Sequence, residues 1–184
     1  MIPEHWPSDF SYSPESIYVG LPANLLMSIL SSEDTSTLSS CIEEKKVHPH
    51  LQLQTLQSPH PLAGERGVFA TQMIPLNTEL GEYVGEVFLG NQDLDFSKGI
   101  RCWLAHLNGI LINISSHRIS NELGFVNDYR GLGKGPNVGT AWILHRGIYH
   151  FGFRTLRTID VGEELLIDYG QTWEKIWSKK NLAI

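Results

Sequence analysis

The fold of this chain is indicated most strongly by the stretch GEELLIDYG, residues 162–170. It begins with a turn, continues as a short apolar strand and ends with Tyr169 between an aspartate and a glycine. A second apolar strand with a polar ending, FVNDY at residues 125–129, lies upstream, and GERGVFA at residues 64–70 lies further upstream. The three segments in this order are a far stronger signal than any one of them alone.

The composition is that of a globular domain. The chain has 184 residues, of which 41% are hydrophobic and 18% charged, so one domain with a buried core is expected. The net charge of −6 fits ordinary solubility, and it also fits a preference for a basic partner such as a Lys-rich tail. Because Lys and Arg form no sizeable cluster, we expect no direct binding to nucleic acid.

Cysteine and histidine give no metal signal. Cys41 and Cys102 are too few for a disulfide framework or an all-cysteine zinc cluster. His48 and His50 have no matching Cys/His pair at ligand spacing, so we predict loop histidines and no metal site. The N-terminal residues lack the pattern of a secretory signal, and no segment has the roughly 18 apolar residues of a membrane span. We therefore expect an intracellular protein without a membrane segment.

A change in composition divides the chain. Residues 1–58 are rich in Ser and Pro and predict an N-terminal extension of undefined role, with a candidate amphipathic helix at residues 21–30. Residues 59–184 contain recurrent short segments with β-branched and aromatic residues, which predict one mainly β domain.

Three parts of this domain carry specific predictions. Arg146-Gly147 is the turn of a predicted hairpin. Residues 91–120 are less regular and predict a helix or loops. Near the C-terminus, Trp173 and Trp177 stand four residues apart on a predicted helical segment.

The motifs together resemble the SET-domain protein-lysine methyltransferases, over residues from about 62 to 177. The matching segments are GERGVFA at 64–70, EYVGE at 82–86, FVN at 125–127 with Pro136-Asn137 downstream, and GEELLIDYG at 162–170. The resemblance implies a mainly β SET fold of several small sheets with short helices. It also implies a pseudoknot-like arrangement, in which a segment near Asn127 is threaded beneath the C-terminal segment that carries Tyr169.

The resemblance further implies transfer of a methyl group from S-adenosylmethionine to a lysine amine. Such a reaction needs alignment and desolvation rather than a metal. By the resemblance, Arg66, Gly67 and Val68 would contact this methyl donor through backbone groups, and Asn127 would hydrogen-bond its amino-acid end. Taken alone, Gly67 is better explained by a tight turn before a strand, and the alternative for Asn127 is a turn residue at a strand end.

Three aromatic residues receive roles in the same way. Tyr169 would be the catalytic tyrosine and would lie beside the donor, with its phenol oxygen near the transferring methyl. Tyr83 would line the lysine channel and assist catalysis. Trp173 would stack on the adenine or cap the lysine channel; the alternative is a helix that packs Trp173 and Trp177 into the core.

Two positions depart from the usual family pattern. Asp128 stands where a histidine commonly follows the asparagine, and it would keep the donor contact only if that contact uses main-chain atoms. Ile167, in the lysine channel two residues before Tyr169, stands where Phe or Tyr is common. Because Ile has no hydroxyl to hold a water, we predict that methylation continues beyond the first methyl group.

Two functions are compatible with these residues. The first is an active protein-lysine methyltransferase, with histone tails as the leading substrate and ribosomal or other lysines as alternatives. It would be nuclear if the substrate is a histone and cytoplasmic otherwise. The second, favoured by Asp128, is a SET-fold module that has lost catalysis and binds a basic protein tail. The extension at residues 1–58 would pack on the domain, cover the donor site or recognise a partner. The oligomeric state has no signal in the sequence.

Overall fold

The computed structural model describes residues 2, 6–21, 28, 30, 47–90, 102–107, 109–145 and 147–170. These residues form short strands and one 3-10 helix, Glu122–Phe125. The strands, in chain order, are β1 Ser11–Tyr12, β2 Ile17–Tyr18, β3 Leu51–Thr55, β4 Arg66–Ala70, β5 Glu79–Glu82, β6 Glu86–Leu89, β7 Cys102–Leu107, β8 Ile110–Ser115, β9 Ile119–Ser120, β10 Asn127–Asp128, β11 Val138–His145, β12 Ile148–Thr155 and β13 Leu166–Ile167. The predicted helix at residues 172–180 lies outside the described residues, as does most of the one at residues 21–30.

The described strands form several small sheets. Antiparallel β11 and β12 pair from Val138 opposite Thr155 to His145 opposite Ile148, and β5 adds to the far edge of β12. The turn of this hairpin includes Gly147, whose φ of 73° is accessible to glycine at little cost. The hairpin predicted around Arg146-Gly147 is therefore confirmed.

A second sheet corrects the prediction of a helix or loops at residues 91–120. Strands β7 and β8 form an antiparallel hairpin, which β6 and β2 extend in the order β2-β6-β8-β7. Strand β8 alternates apolar and polar residues only over the four positions Ile112–Ser115, and all four are buried, so its polar residues, including Asn113, do not face solvent. The prediction was wrong for these strands; residues 91–101 lie outside the described part.

Two strands distant in the sequence build the centre of the molecule. Strand β10 pairs in parallel with β13, with Asn127 opposite Leu166 and Asp128 opposite Ile167. Asn137 lies on the other side of β13 and donates its backbone N–H to the Leu166 carbonyl at 2.9 Å. The segment that precedes Tyr169 is thus held between two parts of one loop, as the threaded arrangement requires.

The first residues of the chain join the same sheets. Strand β1 pairs in parallel with β9, and β2 pairs in parallel with β6. Trp6 and Phe10 place their rings edge-on to Phe125 at centroid distances of 5.4 and 5.2 Å. Residues 6–18 therefore pack against the β domain, although they belong to the segment predicted as an extension. Among the described residues, no helix is both long and apolar enough to cross a membrane.

Candidate active site

The parallel pair β10–β13 brings Asn127 and Tyr169 into one site. Tyr169 follows β13 by two residues, and its hydroxyl donates to the Val126 carbonyl at 2.7 Å. Its backbone N–H donates to Asp128 Oδ2 at 2.8 Å. Both partners flank Asn127 in the chain, so the phenol ring and the amide are held in a fixed relation. With its proton committed to Val126, the phenol oxygen acts as an acceptor toward anything beside it.

An aromatic cluster adjoins Tyr169. The Trp103 ring lies edge-on to the Tyr169 ring, with a centroid distance of 6.0 Å and an interplanar angle of 89°. Trp103 also lies 5.7 Å from Phe153 and 6.4 Å from Tyr83. This arrangement gives one side of Tyr169 a poorly hydrated aromatic wall. Trp103 is not among the predicted site residues, because it falls in the segment predicted as a helix or loops and in none of the matched motifs.

Tyr83 lies deeper in this cluster than a residue at a channel surface would. Its side chain is 3% exposed, and its hydroxyl is 2.6 Å from Ser116 Oγ. Gly85, two residues after Tyr83, lets its backbone lie close to that of Ser115, because a Cβ at Gly85 would meet the Ser115 carbonyl oxygen at 2.5 Å. Trp103 packs against both Tyr83 and Tyr169. The role of Tyr83 in the lysine channel stays a prediction.

Asp128, at the position where the family commonly has histidine, is a buried hydrogen-bond acceptor. Its Oδ1 accepts the Arg130 backbone N–H at 3.0 Å, and its Oδ2 accepts Arg130 Nη1 at 2.6 Å as well as the Tyr169 backbone. The other arm of the guanidinium, Nη2, donates to Asp168 Oδ1 at 2.8 Å. The carboxylate therefore ties the threaded loop to the segment of Tyr169.

The charges of this network reinforce one another. Burial by itself lowers the pKa of Arg130. The hydrogen bonds and charges of Asp128 and Asp168 have the larger combined effect, and the pKa of Arg130 therefore lies above its ordinary value. Burial raises the pKa of Asp168, yet the hydrogen bonds of the Gly170 backbone and of Arg130 place it below its ordinary value. Both shifts favour the charged forms of Arg130 and Asp168, so these two side chains form an ion pair at neutral pH.

Asn127 connects two of the sequence motifs. Its Nδ2 donates to the Arg66 carbonyl at 2.8 Å and to Glu164 Oε1 at 3.0 Å. Gly67 is required beside this contact, since a Cβ there would meet Glu164 Oε1 at 2.6 Å. Val68 is fully buried, and its carbonyl accepts the Leu165 backbone N–H at 2.8 Å. Gly67 and Asn127 therefore meet at Glu164, and the Arg66 carbonyl binds the same amide group of Asn127. Glu164 is not among the predicted site residues.

Asn137 is a buried residue whose side chain holds the segment from Glu164 to Leu166 in place. Its side chain is 0% exposed, its Nδ2 donates to the Glu164 carbonyl at 2.8 Å, and its Oδ1 accepts the Leu166 backbone N–H at 2.7 Å. The Asn137 side chain thus makes hydrogen bonds to the backbone of this segment that a neighbouring strand would otherwise make. Ile167 on the same strand is buried, and its carbonyl accepts the Tyr129 backbone N–H at 3.1 Å. Trp173 lies outside the described residues.

Two clefts flank the β3–β4 hairpin. One, of ≈ 370 Å³, is lined by residues that include His60, Glu164 and Lys134. The other, of ≈ 510 Å³, is lined by Trp6, Pro7, Ser8, Leu53, Thr55 and Arg66. Within the described part of the chain, no group of three or more His, Cys, Asp or Glu side chains is arranged to hold a metal ion.

Comparison with known proteins identifies the family. A family model described as SET domain matches residues 65–170, which is more than half of the chain. The chain therefore belongs to the SET-domain family, whose members are generally protein-lysine methyltransferases. The resemblance read from the motifs and the predicted mainly β fold are thereby confirmed.

A solved structure shares the fold. It is described as a humanized mutant of the Chaetomium thermophilum Polycomb Repressive Complex 2 bound to the inhibitor GSK343, and it matches with a TM-score of 0.52 and 20% identity. The match covers 68% of this chain and 16% of that chain, so this chain spans a small part of that relative's length. No curated protein matches the chain.

Proposed function

We propose that this chain is an S-adenosylmethionine-dependent protein-lysine N-methyltransferase. The observation that carries the proposal is the placement of Tyr169. Its hydroxyl is fixed on the Val126 carbonyl at 2.7 Å, its ring lies against Trp103, and the strand of Asn127 runs beside β13, which ends two residues before Tyr169. A tyrosine held in this way between a polar amide and an aromatic wall suits a reaction that depends on alignment.

The residues around Asn127 fit the amino-acid end of the methyl donor. Among the described residues, the amide oxygen of Asn127 receives no hydrogen bond, because both bonds of this side chain use Nδ2. An ammonium group needs such an acceptor. The nearby Glu164 carboxylate is bound by His60 and Asn127 and adds negative charge that suits a cationic ligand. When bound, S-adenosylmethionine supplies a methyl group activated by its sulfonium.

The aromatic wall suits the other reactant. A lysine side chain has an ordinary pKa of about 10.4, so it must lose a proton before it can attack a methyl carbon. Exclusion of water by Trp103 and the cluster behind it disfavours the charged ammonium and lowers that pKa. Tyr169 is placed to accept weak CH···O contacts from the transferring methyl group. Ile167 contributes no hydroxyl to this region, so transfer is expected to continue past one methyl group.

Histone tails are the proposed substrates. The net charge of −6 favours a basic protein segment over an acidic one. The related fold of a Polycomb Repressive Complex 2 chain supports a chromatin context, and with it a nuclear location. Ribosomal and other basic proteins remain the alternatives within the same reaction class.

The test is transfer of label from S-adenosylmethionine. Purified protein is incubated with the methyl-labelled donor and, separately, with mixed histones, ribosomal proteins and total protein extract. Label on lysine in the histone pool supports the full proposal, and label in another pool alone supports the reaction but rejects the histone substrate. Donor binding by calorimetry without transfer to any pool would favour the non-catalytic binding module instead.

A further inference from the structure

His60 lies outside the segment matched by the family model, residues 65–170, yet it reaches the site. Its Nε2 is 3.1 Å from Glu164 Oε2, and the two side chains are 15% and 10% exposed. The two residues are 104 positions apart in the chain. The contact therefore joins the loop between β3 and β4 to the segment that leads to Tyr169.

The hydrogen bonds fix the tautomer of this imidazole. The Leu62 backbone N–H donates to His60 Nδ1 at 3.0 Å, so Nδ1 must accept. In the neutral ring the proton is then on Nε2. His60 therefore donates to Glu164, and Oε2 of that carboxylate is committed to the imidazole.

The remaining carboxylate oxygen fixes Asn127. Glu164 Oε1 and the Arg66 carbonyl both accept from Nδ2 of the Asn127 amide. Neither partner can donate, so the reversed amide, with its oxygen against two acceptors, is excluded. The amide oxygen is consequently held on the side away from Glu164 and Arg66, in the only orientation that these contacts permit.

We propose that His60 is a positioning residue for the methyl donor, acting through Glu164 to hold the Asn127 amide oxygen ready for the donor's ammonium group. The inference rests on the proposed function, because it assumes that Asn127 contacts the amino-acid end of S-adenosylmethionine. It adds that recognition of the donor's amino-acid end depends on a residue outside the segment that the family model matches. Without the imidazole, Glu164 can turn away from Asn127, and the amide loses its fixed orientation.

Two substitutions separate this role from a purely structural one. His60→Gln puts an amide N–H near the position of Nε2 and keeps the donor to Glu164. His60→Asn puts an amide oxygen near the position of Nδ1, so it keeps the acceptor for Leu62 but cannot reach Glu164. His106→Leu, at an exposed position of β7, is the control. Thermal unfolding and near-ultraviolet circular dichroism show whether each variant is folded.

The measurement is calorimetric binding of two ligands, S-adenosylmethionine and 5′-methylthioadenosine, which lacks the amino-acid end. We expect His60→Asn to weaken S-adenosylmethionine about tenfold, the effect of losing one hydrogen bond to a charged group. The same variant should change the affinity for 5′-methylthioadenosine less than about twofold, and His60→Gln and His106→Leu should bind both ligands like the wild type.

Several outcomes would overturn the inference. They are equal weakening of the two ligands, unchanged binding in a folded His60→Asn variant, and failure of the wild type to bind S-adenosylmethionine. If the expected binding pattern appears but no protein pool is methylated, the positioning role stands and the proposed catalysis fails.

Discussion

The carboxylate of Asp128 accepts the backbone N–H of Tyr169 at 2.8 Å, across 41 residues of sequence. The same carboxylate is paired with Arg130, which also binds Asp168, next to Tyr169 in the chain. Asp128 occupies the position where the family commonly has histidine. Its carboxylate supports the segment of Tyr169 directly, so the departure from the family pattern introduces a different brace rather than a gap.

The first prediction concerns this brace. Asp128→Ala leaves the Tyr169 N–H and the Arg130 guanidinium without their buried acceptor, and we expect a loss of about 2 kcal/mol in unfolding free energy. Methyl transfer should slow at least about tenfold, because Tyr169 is no longer held in place. Urea denaturation and initial rates measure the two effects. Asp128→Asn should lose less of both, and Asp9→Ala, at an exposed position, should lose neither. Full stability and activity of Asp128→Ala would reject this role.

The second prediction concerns Asn137. Replacement by Ala removes both the donor to the Glu164 carbonyl and the acceptor for the Leu166 N–H in a fully buried position. We expect the unfolding free energy to fall by about 3 kcal/mol, since two backbone groups lose their partners. Urea denaturation checks the value, with the exposed Thr140→Ala of β11 as control. A loss no larger than that of the control would show that β13 is held by other contacts.

The third prediction concerns acid stability. The hydrogen bond from Arg157 is the main cause that lowers the pKa of Glu163 from 4.5 to about 2. Because the folded-state pKa is depressed, the stabilisation is present above about pH 4.5 and is lost as the pH falls toward 2. Glu163→Gln should therefore lower the melting temperature at pH 7 and flatten its decline between these two pH values. Parallel melting curves for the two proteins across that range would contradict the assignment.

The fourth prediction concerns the product. Ile167 is buried on β13. In the proposed lysine channel it would offer no hydroxyl to hold a water beside the amine. We expect dimethylated or trimethylated lysine to accumulate on a peptide that the enzyme accepts. Mass spectrometry of the peptide over time measures each methyl state. Accumulation of monomethyl-lysine alone, with enzyme and donor still in excess, would reject the prediction.

The family and the main site segments could be predicted from the sequence, because they depend on local patterns and on their order in the chain. The segments that contain Gly67, Asn127 and Tyr169 carry turn residues and apolar runs, and their order in the chain indicates the family. Contacts that form only when distant segments fold together could not be predicted from the sequence. The pairing of His60 with Glu164 spans 104 residues, and no local sequence pattern around either residue predicts it.

The strand that carries Trp103, β7, shows a second reason why part of the fold could not be predicted from the sequence. The sequence of this strand, CWLAHL at residues 102–107, lacks the alternation of apolar and polar residues by which a strand is usually recognised. The strand pairs with β8, whose alternation is limited to Ile112–Ser115. The replacement of the usual histidine by Asp128 is visible in the sequence, but nothing in the sequence indicates that Arg130 is the partner of Asp128. Only the folded chain shows that this arginine joins Asp128 to Asp168.

The most direct test of the proposed function is the rate of methyl transfer by Tyr169→Phe under single-turnover conditions with saturating S-adenosylmethionine. The variant keeps the ring against Trp103 and loses only the hydroxyl that binds Val126. We expect donor binding within about threefold of the wild type, and transfer slowed about a hundredfold or more, because one preorganised polar group is lost at the reacting centre. Transfer at the wild-type rate by the folded variant would contradict the catalytic role of Tyr169.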